Sequence, residues 1–415
     1  MFKKEYLKNG IPVVMEPFKT VRSVAVGVWV KVGSRYEPYE RNGISHFLEH
    51  MFFKGTRKRD TRDIAVEIDS IGGDLNAFTS REQTAFYIKV LDEYLDKGID
   101  LLTDILVNSI FPEDELEKEK KIIKEEIKMV EDTPDDYVHD LFSMTVWGNE
   151  GLGQPILGRR ETVASFKRED ILSHIRRYYG TKDIIVSCAG NFAPDELIGL
   201  LDRRLGGLRQ GSEPKKGIAP EFRRDIKVYT KEMSEAHICI GVPSLSQTSE
   251  ERYAFFLLNT VLGAGVSSRL FQEIRERRGL AYSVYSFTSS YVDTGLWGVY
   301  AGVSKRRIRE VADVIIREML GLRDTLTDIE LERAKKHLKG NLLLGLESTS
   351  SRMNNLARQE LYFGRYISPD EIMKSVESVE LKQVKDLADR LVKKHLFSIT
   401  AYGPIQKNVL DGILL

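Results

Sequence analysis

Five consecutive residues carry the first chemistry this chain offers: His46-Phe47-Leu48-Glu49-His50. On a helix His46 and His50 stand four residues apart, so both imidazoles leave one face about one turn from each other. Two imidazoles so placed can share a zinc ion, and Glu49 sits beside them on the same side. A carboxylate there can take a proton from a water that zinc acidifies to a pKa of about 7. Such a centre needs a third protein ligand and an open position. The candidates lie on the acidic stretch 113–131, within residues 119–126 (EKKIIKEE). Glu119 and Glu126 are seven residues apart, two helical turns, and share a face to within about 20°. Glu125 points about 100° away from Glu126.

These residues need elements to hold them. Val24, Val26, Val28, Val30 and Val32 recur at period two and predict a strand that Gly33 ends, after a short strand at 11–15. Helices are expected over about 43–54 and 61–70, the second with Asp60 as its N-cap. Gly72-Gly73 breaks the pattern, and residues 75–90 read as two strands around Ser80-Arg81-Glu82. Amphipathic helices come next, over about 93–109 and 113–130, with Pro112 near the start of the second. A strand at 183–189 and a helix at 194–205 complete the first half. The polar segment 209–220 (RQGSEPKKGIAP) reads as a linker.

The half of the chain after the linker repeats the half before it. Residues 236–243 (AHICIGVP) form another period-two strand, 253–263 take the place of the 43–54 helix, and 271–286 take that of 64–80. The sharpest local match sets 115–124 (ELEKEKKIIK) on 330–339 (ELERAKKHLK). The expected fold is α+β: two similar modules, 1–208 and 221–415, each an antiparallel sheet covered by helices. On the local match Glu119 falls on Ala334 and Glu126 on Asn341, and the counterpart of His46–His50, near 256–260, holds no histidine. Packing does not predict joint loss of all these groups. A shared site does.

Composition excludes several classes. With 415 residues, 62 basic and 62 acidic side chains and zero formal net charge, no global field favours a nucleic acid. No run reaches the roughly 18–20 apolar residues of a membrane span, and the first residues show no signal-peptide core. Cys188 and Cys239 lie in apolar strand-like stretches and read as buried free thiols. The expectation is a cytoplasmic protein. The cluster Gly263-Ala264-Gly265 lacks a phosphate-loop lysine. His139, His174, His237, His337 and His395 stand alone and read as structural or surface residues.

The histidine motif is the zincin order reversed, and here the chain resembles the pitrilysin family of inverzincin metallopeptidases, in the branch of mitochondrial processing peptidase and its bacterial relatives. The resemblance rests on 43–56 (GISHFLEHMFFKGT), 72–80 (GGDLNAFTS), the Glu119/Glu126 helix and 267–282 (SSRLFQEIRERRGLAY). It implies a zinc endopeptidase acting on peptides or unfolded, presequence-like segments, with one zinc per chain. The ligands it implies are His46, His50 and the glutamate 76 residues after His50, which is Glu126. Glu49 would be the general base and Glu119 a support of the site. Asp74, Leu75, Asn76, Ala77, Phe78 and Thr79 would form an edge strand that pairs with the substrate backbone. Arg275 and Tyr282, from the second module, would bind the developing oxyanion. The family builds its chamber from four such modules, which implies a homodimer of 2 × 47.4 = 94.8 kDa. The rival reading is a silent peptide-binding subunit, against which the complete motif argues.

Overall fold

A computed structural model describes residues 2–211 and 220–413. Most of the expected linker, 209–220, lies outside them. Among the described residues the strands form two sheets, one in each of two compact units.

The first sheet contains β1 (Lys3–Tyr6), β2 (Pro12–Pro17), β3 (Ser23–Val30), β4 (Asp74–Thr79), β5 (Thr84–Leu91) and β6 (Ile184–Gly190) in the order β1-β2-β6-β3-β5-β4. The second contains β7 (Ile226–Thr230), β8 (Ala236–Ser244), β9 (Ala281–Ser290), β10 (Gly295–Val303) and β11 (Ser398–Gly403) in the order β7-β11-β8-β10-β9. Without β1 the two orders correspond strand for strand, so the internal repeat is a repeat of topology. Each sheet departs from the expected antiparallel order in one pair, β2 with β6 and β7 with β11, and these pairs also correspond.

The valines of β3 show how the first core forms. Val24, Val26, Val28 and Val30 face Phe47, Leu48, Ile99, Ile123 and Leu201, which come from helices on one side of the sheet. The alternate positions are not polar: Ala25 and Trp29 are buried against Met353, Leu356 and Ala357. Those three belong to the helix Thr349–Phe363, which packs on β6, β3 and β2. Gly27 leaves room for this layer, since a Cβ there would meet the Trp29 ring at 2.4 Å.

The compact units therefore differ from the sequence division. The first is Met1–Lys128, Gln154–Ile218 and Gly345–Tyr366; the second is Met129–Gly153, Ala219–Leu344 and Ile367–Leu415. Each sheet takes one covering helix from the other half of the chain. In the second unit that helix is Pro134–Trp147, whose Val138, Leu141 and Phe142 pack with Cys239, Leu296, Tyr300 and Tyr402. An apolar stripe states that a helix must be buried, not which sheet buries it.

Candidate metal centre

The helix Ile44–Met51 buries Ile44, Phe47, Leu48 and Met51, the i, i+3, i+4, i+7 stripe of a core-facing helix. That choice leaves His46, Glu49 and His50 on the other side. The helix Glu113–Glu131 is anchored in the same way by Leu116, Ile123 and Ile127. Its period then brings Glu119 and Glu126 to the motif, while Glu125 is exposed and outside the cluster.

One ligand atom from each of His46, His50 and Glu126 lies within 4.8 Å of the others. Both histidine Nε2 atoms are 3.7 Å from Glu126 Oε2. His50 Nδ1 donates to Glu119 Oε2 at 3.0 Å, which fixes the tautomer with the Nε2 lone pair towards Glu126. Glu119 is 1% exposed and its other oxygen takes Lys54 Nζ at 2.6 Å. Glu126 Oε2 is buried with no hydrogen-bond partner. An orphaned carboxylate oxygen facing two imidazole nitrogens fits a cation in the space between them, and two nitrogens with one oxygen suit zinc.

The electrostatics favour a neutral His46 and raise His50 and Glu126, so that a cation binding there would displace protons. Burial, helped by the charge of His50, pushes His46 down to about 3, so it is neutral and able to ligate. Burial also pulls His50 down, but its hydrogen bond to Glu119 and the charges of Glu126 and Glu49 outweigh it and leave the ring above its ordinary value. Burial raises Glu126 and Glu49 above the usual carboxylate range, against the Thr79 hydrogen bond in the case of Glu49. Burial pushes Glu119 up as well, yet His50 and Lys54 outweigh it and hold it below that range.

The expected substrate strand is β4, at the edge of its sheet and, among the described residues, paired only with β5. Asp74 and Asn76 are exposed; Leu75, Ala77, Phe78 and Thr79 are half-buried. Asn76 Oδ1 accepts from Ala77 N at 2.8 Å. Thr79 has a further part, because its hydroxyl donates to Glu49 Oε2 at 2.6 Å. Arg275 and Tyr282 belong to the second unit. Arg275 is on a π-helical segment, Phe271–Arg277, and its guanidinium lies 4.5 Å from the Tyr282 ring centre and 4.8 Å from that of Phe271. Tyr282, on the edge strand β9, is 79% exposed.

Three groups carry no signal in the sequence that points to their roles: Lys54 on Glu119, the Thr79 hold on Glu49, and Glu37, which binds the start of the motif helix. Lys54 and Thr79 lie in motif segments, but nothing in their types announces these partners. Glu37 has no local signal at all.

Residues 13–160 match the family described as Insulinase (Peptidase family M16), and residues 165–338 match the Peptidase M16 inactive domain. The chain is similar to the zinc protease YmxG of Bacillus subtilis, at 44% identity over 94% of this chain and 96% of that protein. In fold it is similar to a solved peptidase M16 inactive domain from Pseudomonas fluorescens, with TM-score 0.91 and 16% identity over 97% and 98% of the two chains. A solved protease from Helicobacter pylori gives TM-score 0.90 and 22% identity over 97% and 99%.

Proposed function

The chain belongs to peptidase family M16 and is a zinc metallopeptidase, and from that premise we propose that it is an endopeptidase whose zinc, one per chain, is held by His46, His50 and Glu126. The observation that carries this reading is the orphaned Glu126 oxygen 3.7 Å from both Nε2 atoms. When bound, zinc supplies a Lewis acid that acidifies water and polarises a peptide carbonyl.

The protein groups do the rest. Glu49, raised by burial, takes a proton from water and later returns it to the leaving amine. Thr79 holds Glu49 Oε2 and leaves Oε1 for that exchange. Glu119 orients His50 and Lys54 keeps Glu119 charged. The edge strand β4 offers main-chain groups from Leu75 to Thr79 to an extended peptide, a mode that needs no chain terminus and so supports endopeptidase action. Arg275 and Tyr282 bind the oxyanion from the second module type.

The substrates in this reading are peptides or unfolded, presequence-like segments, and the active form is a homodimer. A cytoplasmic location is supported by Cys188 and Cys239, both buried free thiols. No described helix is long and apolar enough to cross a membrane.

The deciding experiment measures zinc content and digestion of an unbiased peptide library by the same sample. One zinc per chain with internal cleavages is expected; a zinc-replete protein that cleaves nothing, or only trims chain ends, refutes the reading. The dimer is tested by mixing inactive Glu49→Gln and Tyr282→Phe chains with different tags. Activity should return in purified mixed dimers; silence there, or a monomeric mass, removes the shared chamber and leaves the zinc assignment standing.

A further inference from the structure

The helix that carries both motif histidines is eight residues long, and Ile44 and Ser45 at its start are fully buried. Its first N–H groups need acceptors that water does not supply there. Gly43, at the N-cap position, cannot carry one. It sits at φ +94°, and a Cβ would lie 2.6 Å from Gly158 Cα and 2.7 Å from Leu157 O. The Ser, Thr, Asp or Asn side chains that ordinarily cap helices are therefore excluded.

Glu37 provides the cap from six residues upstream. Its Oε2 accepts from Gly43 N at 2.7 Å and from Asn42 Nδ2 at 3.0 Å, and its Oε1 accepts from Ser45 N at 2.8 Å. Its own backbone is pinned by Gln154 Nε2, which donates to Glu37 O at 3.0 Å. Glu37 is 5% exposed, and among the described residues no lysine or arginine pairs with it. Burial raises this carboxyl above the usual range, and the N–H groups of Gly43 and Ser45 at the positive end of the helix offset part of that cost. In the helix in the corresponding place of the second unit, Arg252–Gly263, the Ser249 hydroxyl accepts from Glu251 N at 3.3 Å, and among the described residues no carboxylate is seen capping it. Its N-cap residue Glu251 turns its carboxylate to Arg390, and it carries no metal motif.

We propose that Glu37 is a positioning residue for the metal site: one carboxylate, tied to the N–H groups of Gly43 and Ser45, sets the height and rotation of His46. His46 is the third residue of the helix and directly follows Ser45, whereas His50 lies a full turn deeper. Fraying of the first turn therefore moves His46 and spares His50. Metal geometry tolerates errors of only about 0.5 Å and 10–20°. This inference rests on the reading of His46 as a zinc ligand.

The test measures zinc affinity by chelator competition and the visible spectrum of the cobalt-substituted full chain. It compares wild type, Glu37→Ala, Glu37→Gln, His46→Ala and the core variant Ile185→Ala, on the sheet face that the helix Thr349–Phe363 covers. Glu37→Ala should weaken zinc by about 10-fold or more and change the cobalt bands, as losses in the support of a ligand do. Glu37→Gln, which keeps one acceptor oxygen, should fall between it and wild type. Ile185→Ala, with a similar drop in melting temperature, should leave affinity and spectrum unchanged. Wild-type affinity and spectrum in Glu37→Ala, or in Glu37→Gln where the alanine variant does not fold, overturns the proposal. So does an equal zinc loss in Ile185→Ala. If His46→Ala binds zinc normally, the ligand reading itself falls and takes this inference with it; if only the Glu37 variants bind normally, the inference alone falls.

Discussion

The helices Glu113–Glu131 and Asp328–Gly345 occupy equivalent places in the repeat but solve different problems. In the second, Ala334 is buried at 3% exposure beside Leu331 and needs no partner. In the first, the same position is Glu119, a carboxylate at 1% exposure that requires His50 and Lys54. The motif shows the same contrast. Glu49 turns to Thr79, whereas Asn259 in the corresponding stretch accepts a hydrogen bond from Trp297 Nε1 at 2.9 Å. At these positions the second unit shows what the fold does where no metal motif is present: it fills them with apolar groups or self-satisfied amides. Buried charge is kept in the first unit although it stabilises little, so its use lies elsewhere.

The strongest way to break the comparison is at Glu49. Glu49→Gln should keep zinc and lose hydrolysis by about 10²–10⁴-fold, the usual worth of general-base function; near-normal turnover in a metal-replete sample would end the assignment. Glu126→Gln removes the charge of the proposed third ligand and should lower zinc occupancy outright, as read by metal analysis after gel filtration. Normal occupancy there, with loss in Glu119→Gln, would exchange the two roles. Glu119→Ala installs the residue of the second unit. Zinc should bind about 10–100-fold more weakly, while the melting temperature stays within a few degrees, because Lys54 is partly exposed and can turn to water. A large loss of stability with unchanged zinc affinity would make Glu119 structural. The smallest effect is expected from the reverse graft: Asn341→Glu in the second unit should add no zinc, since residues 256–260 offer no imidazole. A second zinc per chain would show that one carboxylate with the neighbouring His337, 3.1 Å from Asn341, suffices.

Much of this architecture could be read from the chain because it is local. Asp60 caps Thr61–Ser70 as expected, in a capping box closed by Asp63. The helix at Pro194–Leu205 has the expected bounds, and the strands on either side of Ser80-Arg81-Glu82 appear as β4 and β5. The period-two reading of Val24–Val32 succeeded for one face of β3 and was silent about the other, which Thr349–Phe363 covers.

Residue type and helical period were enough to put His46, Glu49 and His50 on one side of one turn, and Glu119 and Glu126 on one side of another. They hold for any helix of that sequence, because a 3.6-residue period acts over neighbours alone. Which glutamate meets which histidine was not a local matter. It was decided by how Leu116 and Ile123 seat one helix and how Phe47 and Leu48 seat the other in a common core. The same holds for the Thr79 hydroxyl on Glu49, for Glu37 at the head of the motif helix, and for the covering helices taken from opposite halves of the chain. Each joins residues whose separation along the chain carries no signal, and only packing, which removes water and leaves polar groups to find one another, brings them together.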